Sequence, residues 1–158
     1  MGNNVRRQFT LEDARILKRY FAGDKYGKRS FLLALPEDLG KELLDEGWNV
    51  RHLPPRDEEE EGLYCMNVQV RFDTIPPNIY IVHASKRRKT RIDEDTVASL
   101  DWAEISSVDL TVSSSRYDVM GKQGIKAYLK AMYVTVVEDE LASKYDFEDE
   151  IDEETPFD

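Results

Sequence analysis

Residues 125–137, IKAYLKAMYVTVV, constrain the fold more than any other stretch of this chain. Side chains on a strand alternate between two faces, so Lys126, Tyr128 and Lys130 share one face while Ala127, Leu129 and Ala131 share the other. The run therefore predicts a long strand with a cationic, aromatic side toward solvent and an apolar side toward a core.

The remaining segments supply partners for it. FTLEDARILKRYF (9–21), SFLLAL (30–35), LYCMNVQVRF (63–72), NIYIVHA (78–84) and VDLTV (108–112) read as further strands. In the third of these, Met66, Val68, Val70 and Phe72 are expected to face inward, opposite Cys65, Asn67, Gln69 and Arg71. Tyr20 and Phe21 are adjacent, so one of the two belongs to the core. PEDLGKELLDEG (36–47) predicts a helix: Pro36 opens it, acids 37 and 38 sit at the positive dipole end, and Leu39, Leu43 and Leu44 share a face before Gly47 ends it. DEDTVASLDWAEI (93–105) predicts a second short helix with Asp93 as N-cap and Val97, Leu100 and Trp102 inward. Trp48 also borders a helix and is assigned to the core. AGDKYGKRS (22–30), PPRDEEEEG (54–62) and SSSRYDVMGKQG (113–124) read as loops. The order β-β-α-β-β-α-β-β gives a mainly β domain, and short strands separated by loops lose their edges most simply in a small closed barrel.

A chain of 158 residues is the size of one domain. No apolar run reaches bilayer-spanning length, and MGNNVRRQFT lacks the apolar core of a secretory signal. The single cysteine, Cys65, forms no internal disulfide, suits a reducing cytosol and reads as a small apolar strand residue. The net charge of −10 is unevenly divided: residues 138–158 hold eleven acids against Lys144 alone, and residues 1–137 balance to zero. Within that body the run Asp57–Glu61 is again acidic, so the rest is mildly basic. Two regions follow: a core over 1–137 and an acidic, disordered tail over 138–158.

Catalytic and metal chemistry is hard to place. His52 and His83 stand far apart with no cysteine or carboxylate at ligand spacing, so neither zinc nor another metal is expected. His52 reads as a loop residue and His83 as a strand-end one. Gly23 and Gly27 in AGDKYGKRS have the wrong spacing for a phosphate-binding loop, and Arg29 stands where a magnesium-binding hydroxyl belongs. No cofactor and no enzymatic activity are expected.

Three stretches interleave cations with aromatic rings. The first carries Arg15, Lys18, Arg19, Lys28 and Arg29 around Tyr20 and Tyr26; the second, SKRRKTR, carries Lys86, Arg87, Arg88, Lys89 and Arg91. The third carries Arg116, Tyr117, Lys122, Lys126, Tyr128 and Lys130. Single-stranded nucleic acid asks for this combination, because cations follow its phosphates and flat rings stack on its bases. A duplex reader would show a basic recognition helix, whereas both predicted helices begin with acids.

The block KTRIDEDTVASLDWAEISSVDLTV with MGKQGIKAYLKAMYVTVVEDELASKY resembles a family of small phage single-stranded DNA-binding proteins. ARILKRYF and KRSFLLALPEDLGKELLDEGWNVRHL are similar to that family's N-terminal half, so the likeness spans most of residues 9–146. Tyr117 stands where relatives tend to carry tryptophan. The resemblance implies an OB-fold-like five-stranded barrel, with two short helices in its connections, that coats single strands during phage replication and recombination in the host cytoplasm. The end of the chain, EETPFD, separately resembles the acidic Pro-Phe termini with which bacterial single-stranded DNA-binding proteins dock on replication and repair partners. Pro156 and Phe157 match; Asp158 follows where phenylalanine is otherwise last.

The expectation is a non-catalytic protein that binds single-stranded DNA, has no membrane association and is compatible with a homo-oligomer. Its tail competes with DNA and recruits replication or recombination proteins through Pro156, Phe157 and Asp158. Two alternatives fit the same residues: a replisome or virion accessory factor whose acidic segments mimic DNA, and an RNA-binding module.

Overall fold

A computed structural model describes residues 5–55 and 62–137. The acidic run 57–61 and the tail with Pro156, Phe157 and Asp158 lie outside the described residues. Eight strands form one sheet: β1 Gln8–Tyr20, β2 Arg29–Leu35, β3 Val50–Leu53, β4 Leu63–Val70, β5 Asn78–His83, β6 Arg88–Ile92, β7 Ile105–Val119 and β8 Lys122–Val136. Among the described residues one α-helix, α1, spans Glu37–Glu46.

Five of the strands close on themselves. β1 pairs antiparallel with β2 and β7, β2 with β4, and β7 with β8. A short parallel contact, Val68 to Ala127 and Gln69 to Tyr128, joins β4 to β8 and completes the ring. This is the connectivity of an OB-fold: a three-strand meander whose last strand lies parallel to β8, the last strand among the described residues. Outside the ring, β3 pairs with the edge of β4, and the β5–β6 hairpin extends β8 beyond the seam.

Alternation explains which side chains enter. Met66, Val68 and Val70 from β4 are buried, as are Phe31, Leu33 and Leu35 from β2. Phe21 is the buried member of its pair and stacks on Phe31 at 5.3 Å, while Tyr20 stays outside. Phe9 meets Trp48 edge-on at 5.5 Å. Cys65 is a buried free thiol. Helix α1 ends in Gly47, whose φ of 103° is the left-handed cap that glycine adopts without strain.

Several sequence expectations change. The second helix is a single 3₁₀ turn, Val97–Asp101. Val97 and Leu100 are buried as expected, but the turn stops there and Trp102 is 75% exposed. Asp101 holds the turn against the barrel by accepting hydrogen bonds from the amides of Phe21 (2.6 Å) and Ala22 (3.0 Å). Residues 113–124 are not a loop: β7 and β8 continue in register from Ser113–Tyr128 to Val119–Lys122 and turn through Met120 and Gly121 alone. Both turn residues have positive φ, 52° and 83°, the geometry of a tight hairpin that matches strand twist. Polarity there reflects an arm wet on both faces.

His52 lies in strand β3, its ring 4.5 Å from that of Tyr64, rather than in a loop. Finally, Ala131 does not join Ala127 and Leu129 inside. Thr111 pairs with Ala131 but Val112 pairs with Leu129, so Lys130 is an extra residue in β8. This bulge reverses the alternation, and Met132 and Val134 become the core residues.

Candidate nucleic-acid interface

The seam between β4 and β8 places two depressions end to end on the outer face of the barrel. One, about 430 Å³, runs from Gly27, Lys28 and Arg29 in the β1–β2 connection to Arg71, Lys126 and Tyr128. The other, about 490 Å³, runs from Arg71 and Tyr128 along Ser113–Ser115 and Lys130 to Thr74, Ile75 and Pro76. Arg71 and Tyr128 line both, so they form the joint of one groove.

Tyr128 is half-buried and faces outward because its register partner on the parallel side is the outward Gln69. Lys126 and Lys130, two positions to either side, are exposed on the same face. Lys130 donates to the side-chain oxygen of Gln8 at 2.7 Å, and Lys126 stands 5.5 Å from the ring of Tyr117. Tyr117 lies over Gly124, its cross-strand partner, where any β-carbon would collide with the phenol. The glycine of the GKQG string thus makes room for the ring.

Arg71 stands on the chain just past β4. Its guanidinium donates to both carboxylate oxygens of Asp73, at 3.0 and 2.6 Å. That bidentate contact, and next the Tyr128 hydroxyl, raise the Arg71 pKa above its ordinary value, and the same contact lowers that of Asp73. Arg29 is more constrained: its Nε donates to the Phe21 carbonyl at 2.9 Å, its guanidinium lies over Phe72, and Glu94 is 3.5 Å away.

The β1–β2 loop at the groove's end is tied by Asp24, whose carboxylate accepts from the amides of Tyr26 (2.8 Å) and Lys28 (3.0 Å). These bonds hold the Asp24 carboxyl below its usual pKa. They leave Tyr26 exposed at the tip with Lys25 5.1 Å from its ring.

The structure therefore gathers Lys28, Arg29, Lys126, Tyr128 and Lys130 around one groove, with Tyr26 and Tyr117 at its margins. Arg15, Lys18, Arg19 and Tyr20 lie on β1, two strands from the seam in either direction. Arg19 is committed elsewhere: its guanidinium donates to the carbonyls of Leu100 (2.7 Å) and Ala103 (2.8 Å). Arg116 pairs with Ile125 and so points to the face opposite Tyr117, and Lys122 sits at the tip of the arm. Lys86 and Arg87 form the β5–β6 turn, while Arg88, Lys89 and Arg91 are exposed on β6. Sequence reasoning missed Arg71, although alternation along β4 had already placed it outward beside Gln69.

Among the described residues no helix is long and apolar enough to cross a membrane. A closed five-stranded OB-type barrel with a cationic, tyrosine-bearing groove on its seam defines a class of oligonucleotide-binding folds. Residues 2–156 match the family model described as "Putative phage ssDNA-binding domain", and the chain belongs to that family. The fold is shared with the single-stranded DNA-binding protein of bacteriophage Enc34, at 12% identity and a TM-score of 0.55 over 84% of this chain and 82% of that one. The same phage protein in complex with ssDNA superposes with a TM-score of 0.54, again at 12% identity, over 84% of this chain and 88% of that one. Among curated protein sequences none matches.

Proposed function

We propose that this protein is a non-catalytic single-stranded DNA-binding protein that coats transient single strands during phage replication and recombination in the host cytoplasm. The observation that carries the reading is the groove itself. It has an outward tyrosine, Tyr128, flanked by Lys126 and Lys130 on its own strand and by Arg71 across the seam. Cations at that spacing follow a phosphate backbone, and a ring between them stacks on any base, so binding is weakly sequence-selective. Family membership supports this reading, and so does the shared fold of a phage protein captured with ssDNA.

The acidic tail competes with DNA for this groove. It carries the whole net charge of −10 and is tethered to the end of β8, so its effective concentration at the groove is high. DNA displaces it and exposes Pro156, Phe157 and Asp158 to replication or recombination partners. Deleting residues 147–158 is expected to tighten oligo-dT binding, most at low salt; unchanged or weaker affinity contradicts the competition. Competition between oligo-dT and oligo-U separates DNA from RNA preference.

A further inference from the structure

We propose that a second stacking platform, built by Tyr133 and Tyr80 with Lys89, extends the single-strand track beyond the barrel seam onto the β5–β6 hairpin. This inference rests on the ssDNA-binding reading above and adds a subsite to it.

The bulge at Lys130 carries the argument. Without the extra residue, position 133 would share the inward face with Leu129, because strand side chains alternate with period two. With it, Met132 and Val134 turn into the core and Tyr133 emerges on the same outer face as Tyr128. Bulges redirect side chains in this way beside functional sites. Tyr128 and Tyr133 are five residues apart on one strand, roughly 16 Å at about 3.3 Å per residue.

At the second position the ring is not alone. Tyr80 is its register partner on β5, and the two rings stack at 5.2 Å with planes 12° apart. Lys89 on β6 places its ammonium 4.8 Å from the Tyr80 ring and 5.6 Å from that of Tyr133. Among the described residues no carboxylate pairs with Lys89 or with its neighbour Arg91, which is held by the Asn78 side-chain oxygen at 2.9 Å. The packing of this sheet segment is supplied on the other face by Ile79 and Met132, both fully buried, and Tyr133 remains 40% exposed.

Charge gives the direction. On the β7 side the residue across from Tyr133 is Asp109, whose carboxylate accepts the Asp13 amide at 2.8 Å. On the β5 side stand Lys89 and Arg91. A polyanion leaving the groove past Lys130 and Ile75 is therefore drawn over Tyr133 and Tyr80 toward β6. There a base covers the ring stack, and Lys89 moves from the rings to a phosphate.

The test compares oligo-dT of about 6 and about 16 nucleotides, both within the range of OB-fold footprints. Both are titrated into the full chain and into Tyr133→Thr and Lys89→Gln variants. The longer oligonucleotide is expected to lose about fivefold or more in affinity in Tyr133→Thr, as removal of one stacking ring implies, and to bind more weakly in Lys89→Gln, while the shorter one is unaffected by either. Lys89→Gln alters an exposed position only, so it reads the site even if Tyr133→Thr weakens the fold. Equal effects on both lengths, or none on either, overturn the platform while leaving the groove reading intact. Altered self-association in sedimentation with unchanged DNA affinity also overturns it and marks a contact between copies. If the unmodified chain binds neither oligonucleotide, both readings fail together.

Discussion

Arg71 grips both carboxylate oxygens of Asp73, at 3.0 and 2.6 Å, at the point where the two halves of the groove meet. A carboxylate held this way occupies the guanidinium edge that a phosphate would use. On the proposed function Asp73 is an internal rival of DNA, two residues from the cation it occupies. Replacing Asp73 with Asn is expected to tighten oligo-dT binding by no more than about fivefold, since an exposed ion pair is weak in water. Arg71→Ala is expected to weaken it. Fluorescence anisotropy with labelled oligo-dT reads both changes, and equal affinities for the two variants contradict the assignment.

Gly40 is expected to resist the substitution that normally strengthens a helix. Gly to Ala in a helix interior gains about 1 kcal/mol from propensity. Here a β-carbon would stand 2.6 Å from the Tyr64 β-carbon on β4, so α1 must lift off the sheet. Overpacking of this sort costs about 1–3 kcal/mol, so Gly40→Ala should be net destabilising in urea unfolding.

The two tryptophans should separate in the same assay. Trp48 is 2% exposed and packs on Phe9, so Trp48→Ala is expected to cost about 3–5 kcal/mol. Trp102→Ala should stay within about 0.5 kcal/mol. Iodide should quench the emission of Trp102 and spare that of Trp48.

Acid should loosen the N-terminal segment through Glu46. Burial pushes its carboxyl up, but hydrogen bonds from the Arg6 side chain and amide and from the Trp48 ring together bring it below its ordinary 4.5. A folded pKa below the unfolded one contributes stability above the unfolded value and loses it as pH falls through the folded one. Glu46→Gln should therefore lower stability at neutral pH and leave a shallower loss below pH 4.5. A variant whose acid limb is as steep as that of the unmodified chain contradicts this.

Much of the fold was legible because alternation is a local signal. Val68 and Val70 inward and Lys126, Tyr128 and Lys130 outward followed from period two alone. What was not legible depended on distant partners. A single inserted residue, Lys130, moved Ala131 out and Met132 in, and only its pairing with β7 reveals the shift. The polar run 113–124 looked like a loop because an arm solvated on both faces shows no apolar side. Trp102 looked inward because a continued helix was assumed where a 3₁₀ turn ends. The groove was half visible: its cations and rings on β8 clustered in sequence, but Arg71 joins them only through the parallel β4–β8 seam. Arg15, Lys18 and Arg19 clustered just as well in sequence and lie elsewhere.

The central claim is that the groove binds single strands through phosphate contacts and stacking, and the salt dependence of oligo-dT affinity tests it most directly. For single strands, log K falls with log salt by about 0.7 per phosphate neutralised, so contacts from Lys28, Arg71, Lys126 and Lys130 predict a slope of about −2.8 in the full chain. Each of these cations replaced by alanine should make the slope shallower by about 0.7. A flat salt dependence, or a slope that none of these substitutions changes, would contradict the account.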